Sequence, residues 1–98
     1  MARPTRLDDT RIKSELQRLD GWELKGGKLH REFAFADFVE AFRFMTAVAL
    51  VSERMNHHPE WFNVYRTVIV DLRTHDADGI SELDFKLAGE INKLAPSA

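Results

Sequence analysis

Three of the four histidines in this 98-residue chain stand in two short segments, Glu53-Arg54-Met55-Asn56-His57-His58-Pro59 and Thr74-His75-Asp76. Imidazole, with an ordinary pKa of about 6.5, exchanges protons near neutrality, so histidines that a fold brings into one cleft can act as general acid and base. Glu53 and His57 are four residues apart, a spacing that on a helix sets a carboxylate beside an imidazole to orient it or stabilise its charge. His57 and His58 are adjacent, and they point into one cavity only if the helix frays at Pro59. A plainer reading uses the same residues: His57 and His58 suit the last turn of a helix, favoured by its dipole, and His75 is a polar residue entering a turn. Spacing alone favours the plainer reading.

Other chemistries fare worse. Glu53, His57, His58 and His75 taken as a zinc or iron site lack the usual His-x-x-x-His or Glu-x-x-His pairing on one helix, so no metal is expected. Asp76-x-Asp78-Gly79 resembles part of a calcium loop, but aligning Gly79 with the loop glycine puts Thr74 at the first ligand position and Phe85 at the last, which excludes it. The chain has no cysteine, hence no thiol nucleophile, thiolate zinc site or disulfide, which fits a reducing cytosol. Trp61, Phe62 and Tyr65 could stack on a planar ligand, although aromatic residues in a small sheet more often serve core or interface. No phosphate loop, dinucleotide fingerprint or nucleophile elbow is present. The net charge of −2 comes from 14 basic and 16 acidic residues mixed along the chain, so direct nucleic-acid binding is disfavoured. Met1 to Asp9 contains no apolar h-region and no uncharged apolar run reaches membrane-spanning length, which reads as a soluble, unprocessed, cytoplasmic protein.

The elements that must position these residues follow from periodicity. Asp8 caps a helix running to about Leu19, with Leu7 and Ile12 as a hydrophobic staple and Gly21 as its stop. Trp22-Glu23-Leu24 and Leu29 to Phe35 flank Lys25-Gly26-Gly27-Lys28, the pattern of a hairpin, with Leu29, Phe33 and Phe35 facing the core. A long helix starts after Asp37 and runs to His58, where Pro59 disfavours continuation. Its wheel puts Phe38, Ala41, Phe42, Phe44, Met45, Val48, Ala49, Val51 and Met55 on one broad apolar arc. Val39, Ala47 and Leu50 lie among the charges opposite, which implies a second cover from another copy. Trp61 to Tyr65 and Thr67 to Thr74 read as paired strands. Ser81 caps a last helix with Asp84 at its third position and Ile80 opposite Phe85 as a staple; Leu83, Leu87, Ile91 and Leu94 form its apolar stripe. The prediction is one α+β domain over residues 1–98: a four-stranded antiparallel sheet with three helices packed on one face, in the order α-β-β-α-β-β-α. Without disulfide staples, so small a core makes self-association a reasonable expectation.

Glu53-x-x-x-His57-His58-Pro59, Glu60-Trp61-Phe62-Asn63-Val64-Tyr65, Thr74-His75-Asp76 and Gly79-Ile80-Ser81-Glu82-Leu83-Asp84, in this order and spacing, strongly resemble the signature of the pterin-4a-carbinolamine dehydratases. The likeness extends back through Phe42 to Thr46 and Gly21-Trp22, covering the chain except its ends. It favours the catalytic reading of the histidines over the plainer one. Animal members commonly have an aspartate at the position of Asn56 and can have a cysteine at that of Ala77, so no carboxylate role carries over to 56 and the thiol is dispensable. The resemblance implies dehydration of a 4a-hydroxytetrahydropterin released by an aromatic amino-acid hydroxylase, with no cofactor and no metal. It implies His57 and His75 as acid/base groups and His58 as a pterin-binding, charge-stabilising partner. Glu53 would orient His57, Pro59 and Trp61 would shape the pocket, and Thr74, Asp76 and Ala77 would meet the ring's polar edge. Asp84 and Ser81 would support the turn. It further implies a homodimer or homotetramer through the helix at 38–55. As an alternative, some members serve as a non-catalytic dimerisation cofactor for a homeodomain transcription factor.

Overall fold

The computed structural model describes residues 4–96; the ends of the expected 1–98 domain, residues 1–3 and 97–98, lie outside the described residues. Asp8 accepts a hydrogen bond from the Arg11 amide at 2.8 Å and caps the first helix, α1, Asp9–Leu16. This helix stops three residues short of the expected Leu19, because Arg18 and Leu19 donate to carbonyls only three residues back and tighten the last turn. The hairpin β1 (Glu23–Lys25) and β2 (Lys28–Ala34) closes through Gly26 and Gly27 at φ of 60° and 77°, a left-handed pair that glycine alone adopts cheaply. Asp37 caps α2, Phe38–Met55, by accepting from the Glu40 amide at 2.8 Å. Strands β3 (Glu60–Val64) and β4 (Thr67–Leu72) follow, then a short 3-10 turn at His75–Ala77 and α3, Glu82–Leu94.

The sheet has strand order β1-β2-β4-β3 with every pairing antiparallel, so the predicted α+β fold and element order are observed. Directly paired residues share a face. Leu29, Arg31 and Phe33 of β2 therefore align with Leu72, Val70 and Val68 of β4 on the helix-covered side. The opposite row, His30 against Asp71 against Glu60, lies on the uncovered side. Leu29, Val68, Val70 and Leu72 are fully buried beneath Val48 of α2 and Leu87 and Ile91 of α3, and Ile12 of α1 joins the same core. Each such side chain contributes roughly 1.5–3 kcal/mol by leaving water. Phe44 packs at ring-centroid distances of 4.8 Å on Phe33 of β2 and 4.9 Å on Phe35 just beyond it, both inward-facing as expected.

Two expectations for α2 are corrected. The helix ends at Met55, not His58, because Asn56 takes a left-handed conformation at φ 52° and its amide bonds back to Glu53 and Ser52. The buried stripe is also narrower than the wheel suggests: Ala41, Phe44, Val48 and Ser52 are buried, while Phe38 and Phe42 stand about half exposed beside Val39 and Leu50. One helix lying on a two-layer sandwich covers a single row of its own side chains, and hydrophobicity on neighbouring rows does not draw them in.

Candidate active site

The left-handed turn at Asn56 decides how the two adjacent histidines are presented. Beyond it the chain is no longer helical, so His57 and His58 project in different directions from an extended segment that Pro59 keeps extended. His57 turns inward. Its side chain is buried, and Nε2 donates to Asp84 Oδ1 at 2.6 Å. His58 remains exposed, and its Nε2 donates to Glu53 Oε1 at 2.9 Å. Glu53 therefore pairs with His58 and not with His57; the four-residue helical spacing fails because the helix has already ended.

Asp84 is fully buried at the third position of α3 and is the hub of the site. Its Oδ2 accepts from the Ser81 amide at 2.9 Å, completing a capping box, and from Thr74 Oγ1 at 2.7 Å. Thr74 spends its proton on Asp84, so Ser81 donates its own hydroxyl to Thr74 across 2.6 Å and accepts from the Leu83 amide. Three donors, from β4's exit, the α3 cap and the segment after α2, thus converge on one carboxylate. With Nε2–H committed to Asp84, His57 carries its free lone pair on Nδ1, where it can accept a hydrogen bond or a proton.

His75 enters from the first residue of the 3-10 turn and is mostly exposed. Its Nδ1 lies 3.4 Å from Arg73 Nη1, and its Nε2 lies 3.6 Å from Glu60 Oε2. A cleft of about 350 Å³ is lined by residues 56–60 and 73–76 together with Pro4 and Leu83, so the structure brings His57, His58 and His75 to one opening with Pro59, Thr74 and Asp76. Glu53, Trp61 and Ala77 lie outside that lining; Trp61 faces the helices and packs on the core. Two larger open clefts, of about 620 and 580 Å³, run along the amino-terminal segment and hold no histidine. Glu60, Arg73 and the hydrogen bond from His57 to Asp84 were not anticipated. Arg73 could have been: residues two apart on an extended chain share a side, so it stands next to His75. Among the described residues, no three His, Asp or Glu side chains are arranged to hold a metal ion, and no helix is long and apolar enough to cross a membrane.

A four-stranded antiparallel sheet backed by helices, with a carboxylate-held imidazole and two further histidines at one end, defines the class: a small α+β protein with a histidine-lined cleft. The family model for pterin 4 alpha carbinolamine dehydratase matches residues 5–94. A protein of Solibacter usitatus (strain Ellin6076), provisionally named a pterin-4-alpha-carbinolamine dehydratase, is 54% identical over 91 residues, 93% of this chain and 96% of that one. One of Rhizobium meliloti (strain 1021), named likewise, is 52% identical over 95 residues, 95% of this chain and 91% of that one. Among solved structures, the transcriptional coactivator/pterin dehydratase from Brucella melitensis matches with a TM-score of 0.90 at 44% identity, covering 94% of this chain and all of that one. A pterin dehydratase-like protein described as a RuBisCO assembly factor in the alpha-carboxysome matches with a TM-score of 0.68 at 27% identity, covering 80% of this chain and 93% of that one. The chain belongs to the pterin-4-alpha-carbinolamine dehydratase family.

Proposed function

We propose that this protein dehydrates a 4a-hydroxytetrahydropterin to the quinonoid dihydropterin, recycling the cofactor of an aromatic amino-acid hydroxylase in the cytoplasm. The observation that carries this reading is the hydrogen bond from buried His57 to Asp84 at the back of a cleft that also holds His58 and His75. The reaction breaks the C4a–O bond, its electron pair leaving with oxygen, while the N5 proton passes to a base and the freed pair forms the C4a=N5 bond. Such a step asks for one group to meet the departing oxygen and another to take the ring proton, and His57 and His75 fill these places. The proton taken from N5 returns to the oxygen as water, so no cofactor and no metal is consumed. His58, oriented by Glu53, binds the pterin and stabilises charge, while Pro59, Thr74 and Asp76 form the wall that meets the ring. The working form is a homodimer or homotetramer built on the exposed apolar side of α2.

Turnover of 4a-hydroxytetrahydropterin by wild type, His57→Ala and His75→Ala tests this. Both variants are expected to fold and to lose about 10²- to 10⁴-fold in rate, the usual contribution of a general acid or base. Activity is expected to survive exhaustive chelation, because the elimination needs proton transfer and not a Lewis acid. Near-wild-type rates in both variants overturn the mechanism, and loss on chelation with recovery on added zinc points to a metal centre. A second reading is a non-catalytic protein-binding module on the same fold, such as a transcription-factor dimerisation cofactor. The relative described as a RuBisCO assembly factor favours it. Absence of any turnover by the wild type, with a stable complex formed through α2, supports that reading instead.

A further inference from the structure

We propose that Arg73 and Glu60 are positioning residues that hold His75 as the neutral tautomer protonated on Nε2, so that the ring offers the cleft an N–H and no free lone pair. A guanidinium has five donors, no acceptor, and keeps its charge throughout the working pH range. Arg73 Nη1, 3.4 Å from Nδ1 of His75, therefore has to meet a lone pair there. A proton on that nitrogen would set donor against donor beside a positive charge. On the other side of the ring, Glu60 Oε2 lies 3.6 Å from Nε2, where a carboxylate favours a proton.

Both anchors are themselves held. Arg73 donates through Nη2 to the carboxylate of Asp78, which ends the 3-10 turn in a left-handed conformation. Glu60, on the uncovered face of the sheet, takes the Lys28 ammonium on its other oxygen. These contacts bracket a side chain that is 77% exposed and would otherwise rotate freely in water. At 3.6 Å the carboxylate sits near the Nε2–H without a hydrogen bond to it, which leaves that proton available to an oxygen placed in the cleft.

The functional consequence rests on the dehydratase reading; the tautomer does not. His57, with Nε2–H on Asp84, presents an acceptor, whereas His75 presents a donor, so the two rings are differentiated before substrate arrives. A neutral imidazole is a poor proton source, and its Nδ1 lone pair already faces Arg73. His75 thus polarises the departing oxygen by hydrogen bonding, and the proton that completes water is the one His57 takes from N5.

Long-range ¹H–¹⁵N correlation spectra of histidine-labelled protein, recorded through a pH titration, read the tautomer directly. Wild type is expected to show His75 with a protonated Nε2 and a bare Nδ1 once neutral. Arg73→Met is expected to admit the Nδ1–H form, and Glu60→Gln, which removes the carboxylate facing Nε2, to admit it in smaller share. A wild-type Nδ1–H tautomer, or tautomer populations unchanged in both variants, overturns the assignment. The role is tested separately by turnover: loss of one preorganised donor costs about 10²- to 10³-fold, and His75→Gln, which keeps an N–H, is expected to recover part of what His75→Ala loses. The expected tautomer without that recovery removes the donor role while the assignment stands.

Discussion

His30 is the fourth histidine and takes no part in the cleft. It lies in the row on the uncovered face of the sheet, with Nδ1 2.7 Å from Asp71 Oδ1 and Nε2 3.4 Å from Glu32 Oε2. Only an imidazolium donates from both nitrogens, and these bonds, Asp71 first, raise its pKa above the ordinary 6.5 against the opposing effects of burial and of Lys25. A raised folded-state pKa means the ion pair contributes its full stability below about pH 6.5 and loses it as pH rises through the folded value. The unfolding free-energy gap between wild type and His30→Gln is therefore expected to be widest in acid and to close on the alkaline side. Urea titrations at several pH values check this, and a gap that widens with rising pH contradicts it. Asp84 shows the same logic turned to the site: one buried carboxylate both caps α3 and holds His57, so neither role can be removed alone.

At the scale of elements, the exit from α2 is the point where sequence becomes site. Asn56 ends the helix at φ 52°, a conformation that costs an ordinary L-residue about 1–2 kcal/mol and that asparagine and glycine tolerate. Asn56→Val is expected to destabilise the protein by that amount and to disturb the His57 to Asp84 bond, whereas Asn56→Gly stays within a few tenths of a kcal/mol. Chemical denaturation of the two variants decides it, and equal stabilities would mean the turn is not under this constraint. The α3 cap and β4's exit arrive at the same place through Thr74 and Ser81, so three element ends rather than any element interior build the site.

At the scale of the molecule, α2 presents Phe38, Val39, Phe42 and Leu50 to solvent, with Leu50 67% exposed. The rings of Phe38 and Phe42 lie 5.6 Å apart and form a continuous apolar surface. Buried apolar area contributes about 25 cal/mol per Å², and a few large residues repeated by symmetry give several kcal/mol before the cost of association. Leu50→Glu is expected to split the proposed homo-oligomer while leaving the monomer's core intact, since Leu50 is exposed and outside that core. Light scattering or analytical ultracentrifugation checks the mass; a monomeric wild type at micromolar concentration, or a variant of native mass, removes this helix as the interface.

Local patterns were enough to place nearly every element. Polarity alternation marks β2 and β4, the Gly26-Gly27 pair marks the hairpin, and Asp8, Asp37 and Ser81 mark three helix starts, because caps, turns and periodicity act over a few residues. The family and its three histidines were equally legible, since order and spacing along the chain carry them. Which carboxylate serves which histidine was not. Glu53 meets His58 because a left-handed Asn56 breaks the helical spacing, and Asp84 meets His57 across 27 positions because α3 docks beside the end of α2. Glu60 reaches His75 from β3, 15 positions away in the chain. Partnerships of that kind depend on how elements pack through the core, a long-range outcome that no local spacing encodes.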